Sequence, residues 1–496
     1  MNKNVSRVVI LGGGTAGWMT AAFLSDWLES TSIQVKLVES EQIGTIGVGE
    51  ATVPGIHQYL KELKINEAEF IQATHATFKL GIEFENWAGE GQSFFHPFAG
   101  YGAKIEDRPF YQTWWAARQQ GYGRELDQFC LCTQLARAGK FAMPNFDEKS
   151  RLAWYNYAYH FDASLFAKFL RGYAEDRRVT RIEGKLSEVK QNADSGFIES
   201  LRLESGQIIE GDLFVDCTGM AALLIDKVMG VGYEDWSHWL LSDSALAVQT
   251  QSQTEPDPFT RSSTRSAGWQ WHIPLQNRVG NGYVYSSQFI SHEKAADELQ
   301  QHLKDEQITQ PRLIRFKTGM RRDFWAKNCV AIGLSSGFLE PLESTSISLI
   351  QTGISKLAGF LVNFQIDEKH VKEANRLNRL EYERIRDFII LHYKLNGRHD
   401  PYWQYTREMP IPESLEEKIL AFKRTGDIRM LEQESFNEES WASMYFGFGI
   451  APDELAASID FPKARNTMDK MALAIETGLG YAPSHQSFLQ TLKFRE

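Results

Sequence analysis

The sequence contains few cysteines, and their spacing excludes the structures that cysteines most often build. Four occur in 496 residues, namely Cys130, Cys132, Cys217 and Cys329. This number is too small for a disulfide framework. The single residue between Cys130 and Cys132 suits neither a CxxC redox pair nor a zinc knuckle. We therefore expect buried or incidental thiols and no metal site.

Positive charge and long apolar runs are also scarce. Aspartate and glutamate (64) outnumber lysine and arginine (53), which gives a formal net charge of −11 at pH 7. This balance disfavours nucleic acid or an anionic membrane surface as a partner. No run approaches the roughly 18 apolar residues of a spanning helix, and the start lacks the charged region and cleavage site of a secretory signal. We therefore expect a cytoplasmic protein.

A glycine-rich turn near the start joins a predicted strand to a predicted helix. Residues 8–11 are apolar, and Gly12, Gly14 and Gly17 follow in the GxGxxG spacing of a dinucleotide-binding turn. Gly12 permits the tight turn, Gly14 lets the backbone approach a pyrophosphate, and Gly17 allows close packing of helix on strand. Thr15 and Ala16 lie at the helix N-terminus, where the phosphates are expected.

A second predicted strand, residues 35–38, ends at Glu39. Its carboxylate can accept hydrogen bonds from both hydroxyls of an unphosphorylated ribose. The turn and this acid together favour a dinucleotide, although they do not distinguish FAD from NAD. The alternative is an α/β unit that binds no nucleotide.

Apolar periodicity predicts the elements that follow along the chain. Residues 44–54, which include Ala51, are rich in glycine and are expected to form a loop against the cofactor. Further predictions are a helical stretch over 56–80, a strand over 82–87, an aromatic loop over 94–102, helices over 110–150, a helix capped by Asp162, hairpin strands over 180–216, strands over 240–290, a buried strand over 329–333, and mainly helices from Ser344 onwards.

Several motifs stand in one order along the chain. Trp269–Pro274 has the pattern WxWxIP, and the glycine turn, residues 78–81 and residues 341–345 accompany it. With these motifs the chain resembles the flavin-dependent halogenases of the tryptophan halogenase type, from the glycine turn to about residue 450. The resemblance implies an α/β fold with an FAD-binding GxGxxG Rossmann-like domain of the flavin monooxygenase type.

The resemblance also implies a division of the chain. Residues 1–350 form the FAD-binding body, with mixed-sheet substrate insertions near 80–160 and 230–310. Residues 351–496 form a mainly helical part that covers the substrate. A monomer or a homodimer is expected.

The chemistry implied by the resemblance uses reduced FAD, oxygen and a halide, chloride or bromide, to make hypohalous acid. Lys79 matches the family's catalytic lysine, whose amine can donate a hydrogen bond to the oxidant or form a haloamine. Glu343 matches the catalytic glutamate, which can stabilise the cationic ring or accept its proton. From the residues alone, Lys79 would be a solvated surface lysine, and the alternative for Glu343 is a helix-capping acid.

The remaining site residues follow from the resemblance, except Ala51, which belongs to the glycine-rich loop, and Trp441, an aromatic of a region that does not align residue by residue. The resemblance places the backbone of Thr345 and Ser346 at the halide, and Ser346 stands where the family usually has glycine. Leu334, Ile347 and Ala51 are expected to contact the flavin. The residues expected to line the substrate pocket are His96, Phe98 and Trp441, and those expected to separate flavin from substrate are Trp269 and Trp271. Core packing is the alternative for the two tryptophans, and a loop ordered by Pro97 for His96 and Phe98.

The region of residues 436–448 is shorter than the tyrosine-rich lid of the tryptophan-specific relatives. Recognition of free tryptophan and an open pocket for indole or related aromatics therefore both remain possible.

A single nucleotide fingerprint indicates that the flavin arrives already reduced, from a separate flavin reductase. Two alternatives stay open: an FAD-dependent aromatic hydroxylase on the same scaffold, and a flavin-binding protein without turnover.

Overall fold

The computed structural model of the chain describes residues 3–43, 49–146, 153–252, 254–454 and 459–492. The strands in chain order are β1 Lys3–Asn4, β2 Arg7–Leu11, β3 Gln34–Glu39, β4 Gly49–Ala51, β5 Thr77–Lys79, β6 Gly81–Glu85, β7 Ser93–Pro97, β8 Ala158–Asp162, β9 Thr180–Glu183, β10 Leu186–Gln191, β11 Ile198–Leu203, β12 Ile208–Glu210, β13 Leu213–Asp216, β14 Tyr233–Asp235, β15 Ser244–Thr250, β16 Thr260–Arg265, β17 Gly268–Pro274, β18 Val279–Tyr285, β19 Arg312–Arg315, β20 Gly319–Arg321, β21 Trp325–Ala326, β22 Cys329–Ala331, β23 Gly337–Phe338 and β24 Gln365–Ile366.

The helices in chain order are α1 Thr15–Trp27, α2 Ile56–Glu62, α3 Glu67–Thr74, α4 Phe110–Gln119, α5 Leu131–Arg137, α6 Ala163–Glu175, α7 His292–Gln301, α8 Ser346–Phe360, α9 Glu368–Leu395, α10 Pro401–Glu408, α11 Glu413–Thr425, α12 Glu438–Gly447, α13 Phe461–Tyr481 and α14 His485–Leu492. Short 3-10 turns include Leu126–Phe129, Gly333–Ser335 and Pro341–Glu343.

The first of two units consists of residues 1–74, 161–243 and 315–383. Its main sheet has the strand order β21-β22-β13-β2-β3-β9, and every pair from β22 to β9 is parallel. Residues 8–11 of the central strand β2 are apolar and buried because the sheet is covered on both faces. Helix α1 packs against α6 and α8. The predicted order of strand, glycine turn, helix and strand is confirmed.

The second unit consists of residues 75–160, 244–314 and 384–496. Its main sheet has the order β19-β15-β18-β17-β16-β6-β7. The sheet is mixed, since β16 runs parallel to β6 while the pairs β15–β18, β18–β17, β17–β16 and β6–β7 are antiparallel. Together the two units confirm the predicted α/β fold with a mixed sheet.

Some predicted elements are confirmed in the described residues. Asp162 caps α6 by accepting hydrogen bonds from the backbone N–H groups of Ser164 and Leu165. The buried strand near residue 330 is β22, and the helix predicted near Ser344 begins at Ser346. All four cysteines are buried free thiols.

Other predicted elements are wrong at their boundaries. The prediction of a helix over residues 56–80 is wrong beyond Thr74, because Thr77–Lys79 instead form strand β5, which pairs with β8. The aromatic loop over 94–102 begins as strand β7, which pairs with β6 as far as Pro97. Residues 49–51 form strand β4 where a loop was expected, and residues 44–48 lie outside the described residues. The stretch over 110–150 holds α4, one 3-10 turn and α5, while residues 147–150 are likewise not described.

Candidate active site

Two glycines of the first turn are required by contacts with neighbouring backbone. Gly12 has a φ of +108°, and a Cβ there would lie 2.3 Å from the carbonyl oxygen of Cys217. A Cβ on Gly17 would lie 1.9 Å from the carbonyl oxygen of Gly12. Both distances are too short for a side chain, so these positions let β2, the residues after β13 and α1 approach closely.

Gly14 differs because the space beside it is open. A Cβ on Gly14 would meet no heavy atom within 4 Å. Gly14 is the N-cap of α1 and has an extended conformation, with a φ of −76° and no side chain to cap the helix. The first-turn N–H groups of a helix have no partner within it. This open space at the N-terminus of α1 therefore suits an anionic group such as a pyrophosphate.

Glu39, at the end of β3, lies against the same turn. A Cβ on Gly13 would come within 1.5 Å of its Oε2 atom, so position 13 must remain glycine for the carboxylate to lie there. The other oxygen, Oε1, accepts a hydrogen bond of 2.6 Å from Nε of Arg181. Contact of Glu39 with a ribose remains a prediction. The sequence did not reveal Arg181, which lies on the neighbouring strand β9.

The loop after β13 is fixed by a buried carboxylate. Asp216 is fully buried and accepts backbone hydrogen bonds from Thr218, Leu224 and Ile225 at 3.0, 2.7 and 2.9 Å. Its carbonyl oxygen accepts a hydrogen bond from the Ser335 hydroxyl. The end of β13 is thereby tied to the turn Gly333–Ser335.

This turn carries Leu334 and packs on α1. A Cβ on Gly333, whose φ is +76°, would lie 2.8 Å from the Cβ of Ala16 and 3.5 Å from Ile350 of α8. Ile347, in the first turn of α8, is 2% exposed. The structure therefore gathers Ala16, predicted at the phosphates, and Leu334 and Ile347, predicted at the flavin, near the N-terminal ends of α1 and α8. Ala51 lies on β4, and its contact with the flavin remains a prediction.

Glu343 and the predicted halide residue Thr345 lie just before α8, and the other predicted halide residue, Ser346, begins it. Glu343 is 1% exposed and ends the 3-10 turn Pro341–Glu343. Ser344 follows in a left-handed conformation with a φ of 60°. Thr345 is the N-cap of α8, and its buried hydroxyl has no hydrogen-bond partner among the described residues. Ser346 is half-buried.

Lys79 lies in the second unit and is fully buried. Its Nζ is 5.1 Å from the centroid of the Phe98 ring, a cation–π distance. The backbone N–H of Phe98 donates a hydrogen bond of 2.9 Å to the carbonyl oxygen of Leu80, which follows Lys79. The surface-lysine alternative is therefore wrong, and two predicted site residues are brought together.

Three more predicted residues share one face of the seven-stranded sheet. Trp271 of β17 is opposite Ser262 of β16, which is aligned with Phe84 of β6. Phe84 in turn is opposite Phe94 of β7. Since side chains alternate along a strand, Trp269 and His96 lie on this same face. The rings of Trp269 and Trp271 are 6.2 Å apart. A Cβ on Gly282 would lie 2.0 Å from the Trp271 indole, so this glycine makes room for it.

His96 and Trp441 contact a common ring. The centroid of Phe388 lies 5.8 Å from that of His96 and 4.9 Å from that of Trp441. Phe436 stacks on Phe388 with a centroid distance of 3.8 Å. The sequence did not reveal Phe388, because it lies within the long helix α9. The only sign of Phe388 in the sequence was an aromatic residue at a position on the buried side of that helix.

A buried cation lies under Trp441. Lys418 forms an ion pair with Glu434, and its Nζ is 4.0 Å from the centroid of the indole. The indole N–H of Trp441 is buried and has no hydrogen-bond partner within the described part of the chain. Burial lowers the pKa of the Lys418 amine.

No helix in the described ranges is long and apolar enough to cross a membrane. Within the same ranges, no three His, Cys, Asp or Glu side chains are grouped so as to hold a metal ion.

Comparison with known proteins places the chain in a family. The family model of tryptophan halogenases matches residues 7–462. Tryptophan 6-halogenase SttH from Streptomyces toxytricini is 36% identical over 450 residues, which make up 85% of this chain and 84% of that protein.

Solved structures agree with this result over nearly the whole length. The flavin-dependent halogenase BrvH from Brevundimonas sp. BAL3 superposes with a TM-score of 0.95 at 43% identity, covering 98% of this chain and 99% of that one. A flavin-dependent halogenase from Xanthomonas campestris also gives a TM-score of 0.95, at 44% identity and with 99% of both chains covered. The chain therefore belongs to the tryptophan halogenase family and is a flavin-dependent halogenase.

Proposed function

We propose that this halogenase binds FAD, receives it in reduced form from a separate flavin reductase, and uses oxygen and a halide to halogenate an indole-type aromatic ring. The observation that carries the proposal is the fully buried amine of Lys79, 5.1 Å from the Phe98 ring. A lysine seldom occupies such a place unless the amine is needed there.

The glycine turn fits FAD. The open space beside Gly14 and the uncapped N-terminus of α1 would hold the pyrophosphate. The Glu39 carboxylate, held against Gly13, would accept hydrogen bonds from a ribose. When bound and reduced, the flavin supplies the electrons with which oxygen oxidises a halide to hypohalous acid.

The start of α8 fits the halide. The hydroxyl of Thr345, which is buried without a partner in the described part of the chain, can donate to an anion. The backbone N–H groups of Thr345 and Ser346 lie at the positive end of a 15-residue helix. The side chain of Ser346 replaces the family's usual glycine and leaves the backbone N–H in place.

Lys79 and Glu343 would then direct the halogen to carbon. The Lys79 amine first gives up a proton and then attacks hypohalous acid, forming an N–halogen bond and releasing water. The aromatic ring attacks that halogen, and the nitrogen takes a proton back as the N–halogen bond breaks, which restores the amine. The Glu343 carboxylate accepts the proton lost from the ring carbon, so that aromaticity returns. Burial of both groups keeps water away from the oxidant.

The substrate is proposed at the level of an indole-type ring. His96, Phe98 and Trp441 supply aromatic surfaces for a flat ring, and SttH is named as a tryptophan halogenase. Tryptophan, indole and related electron-rich aromatics are the candidates.

Substitution of Lys79 tests the mechanism. Lys79→Ala should lower halogenated product by about 100- to 10,000-fold while oxidation of reduced flavin continues. Lys79→Met keeps the side-chain length and should behave the same if the amine is what matters. Product is measured by mass spectrometry with bromide or chloride, and with tryptophan or indole.

Two outcomes would contradict the proposal. Halogenated product retained by both Lys79 variants would remove the amine from the mechanism. A hydroxylated product that does not depend on halide would instead indicate the aromatic hydroxylase.

A further inference from the structure

The strand that carries Lys79 is only three residues long. Strand β5 pairs with β8, with Phe78 opposite Tyr159 and Lys79 opposite Ala158. Among the described residues no other strand pairs with β5, although the residues beside it bond to Gln276 and Pro258. So short a pairing does not by itself fix a side chain within the tolerance that chemistry requires.

A histidine from the last described helix provides a further bond to β5. The backbone N–H of Phe78 donates a hydrogen bond of 3.1 Å to Nε2 of His485. The Nδ1–H of His485 donates in turn to the carbonyl oxygen of Pro256 at 2.8 Å. These two partners require a neutral imidazole with its proton on Nδ1. Burial favours that form, since it lowers the pKa of His485 to about 4.

A second histidine holds Thr77, two residues before Lys79. The Thr77 hydroxyl donates to the carbonyl oxygen of Pro274 at 2.6 Å, so its oxygen accepts the Nδ1–H of His160, at 3.0 Å. Nε2 of His160 then accepts from the Thr260 hydroxyl at 2.9 Å. Burial first, and the charge of Lys79 second, lower the pKa of His160 and keep it neutral.

The position of Thr77 connects this network to Lys79. Side chains two residues apart in a strand point to the same side, so the Thr77 bonds fix the side of β5 that bears the amine. Thr260 is aligned with Ile82, which is opposite His96. The network therefore holds β5 to the sheet face that carries the predicted pocket residue His96.

We propose that His485 and His160 are positioning residues for Lys79, which hold β5 so that the buried amine meets the oxidant and the substrate ring in one fixed geometry. This inference rests on the proposed function of Lys79. The lysine does the chemistry, and the histidines act through the strand.

The test is the coupling ratio, which is the halogenated product formed per reduced flavin oxidised. His485→Leu removes the acceptor for the Phe78 N–H and should lower this ratio by about ten- to a hundred-fold while flavin oxidation proceeds at the normal rate. His485→Gln offers an amide oxygen to Phe78 and an amide N–H to Pro256, and should restore most of the coupling.

A second pair of variants covers the case in which His485→Leu does not fold. Thr77→Val keeps the shape and removes the hydroxyl, and should also lower the coupling ratio, whereas Thr77→Ser should not. Leu489→Ala is the matched control, since Leu489 is buried one turn further along α14 and makes none of these hydrogen bonds. It should lower the melting temperature without a comparable loss of coupling.

The outcomes separate this inference from the proposed function. If Lys79→Ala loses product while His485→Leu and Thr77→Val keep normal coupling, the positioning role is wrong and the lysine mechanism stands. Equal losses of coupling in Leu489→Ala and His485→Leu, at equal melting temperatures, would also overturn it. If Lys79→Ala keeps product, the proposed function itself fails.

Discussion

The two glycines Gly14 and Gly17 lie three residues apart, and the structure predicts opposite effects when each becomes alanine. A Cβ on Gly17 would lie 1.9 Å from the Gly12 carbonyl oxygen, whereas a Cβ on Gly14 would meet nothing within 4 Å. The substitution at position 17 therefore disturbs the protein itself. The substitution at position 14 disturbs only a molecule that enters the open space.

The magnitudes follow from these contacts. A contact of 1.9 Å with backbone can be relieved only by moving α1 away from β2, and overpacking of this kind costs about 1–3 kcal/mol of unfolding free energy. Gly14 has a φ of −76°, which alanine adopts without strain. Gly14→Ala should therefore leave stability unchanged or raise it by about 0.4–1 kcal/mol. A Cβ in the path of the pyrophosphate should raise the dissociation constant of FAD at least tenfold, or about 1.4 kcal/mol.

The assay compares two measurements on each variant. Unfolding by heat or urea without FAD reports stability, and titration of flavin fluorescence reports affinity. Gly172→Ala is the matched control, because this glycine of α6 also has open space around it and should affect stability alone. If Gly14→Ala bound FAD as tightly as the unsubstituted protein, the phosphates would not lie at this turn. Normal stability of Gly17→Ala would contradict the packing of α1 on β2.

Two further predictions concern the second unit. Burial lowers the pKa of His485 from 6.5 to about 4, so between these values the unfolded chain binds a proton that the folded chain does not. The free energy of unfolding should therefore fall by about 3 kcal/mol as the pH falls through this window. Urea unfolding at several pH values should show that this free energy depends less on pH in His485→Gln. Gly282→Ala should displace the Trp271 indole, 2.0 Å from the new Cβ, and destabilise the protein by about 1–3 kcal/mol. Unchanged tryptophan emission and stability would contradict the packing of that indole on β18.

The glycine turn could be predicted from sequence because every interaction that defines it is local. The strand β2, the turn and α1 are consecutive, and Gly12 and Gly17 meet within five residues of each other. Glu39 follows at the end of the next parallel strand. What could not be predicted is the partner of Glu39, since Arg181 reaches it from β9, more than a hundred residues further along the chain.

Strand β5 shows the opposite case. The spacing of residues 56–80 is helical, and a stretch as short as residues 76–80 does not distinguish a helix from a strand. Its conformation is decided by pairing with β8, eighty residues later in the chain, and by hydrogen bonds from residues later still. The motif at residues 78–81 pointed to Lys79 as a candidate site residue, but nothing in the sequence indicated that it lies on a strand.

The buried state of Lys79 explains why distant residues are needed around it. An amine kept from water must have fixed neighbours, or its long side chain would find solvent and water would reach the oxidant. A three-residue strand cannot supply them, so the bonds come from the imidazoles of His160 and His485, both neutral and fully buried. A neutral imidazole donates with one nitrogen and accepts with the other, so it can join two backbone or side-chain groups without adding a charge beside the amine. That property distinguishes histidine here from lysine, arginine or a carboxylate, each of which would alter the charge around Lys79.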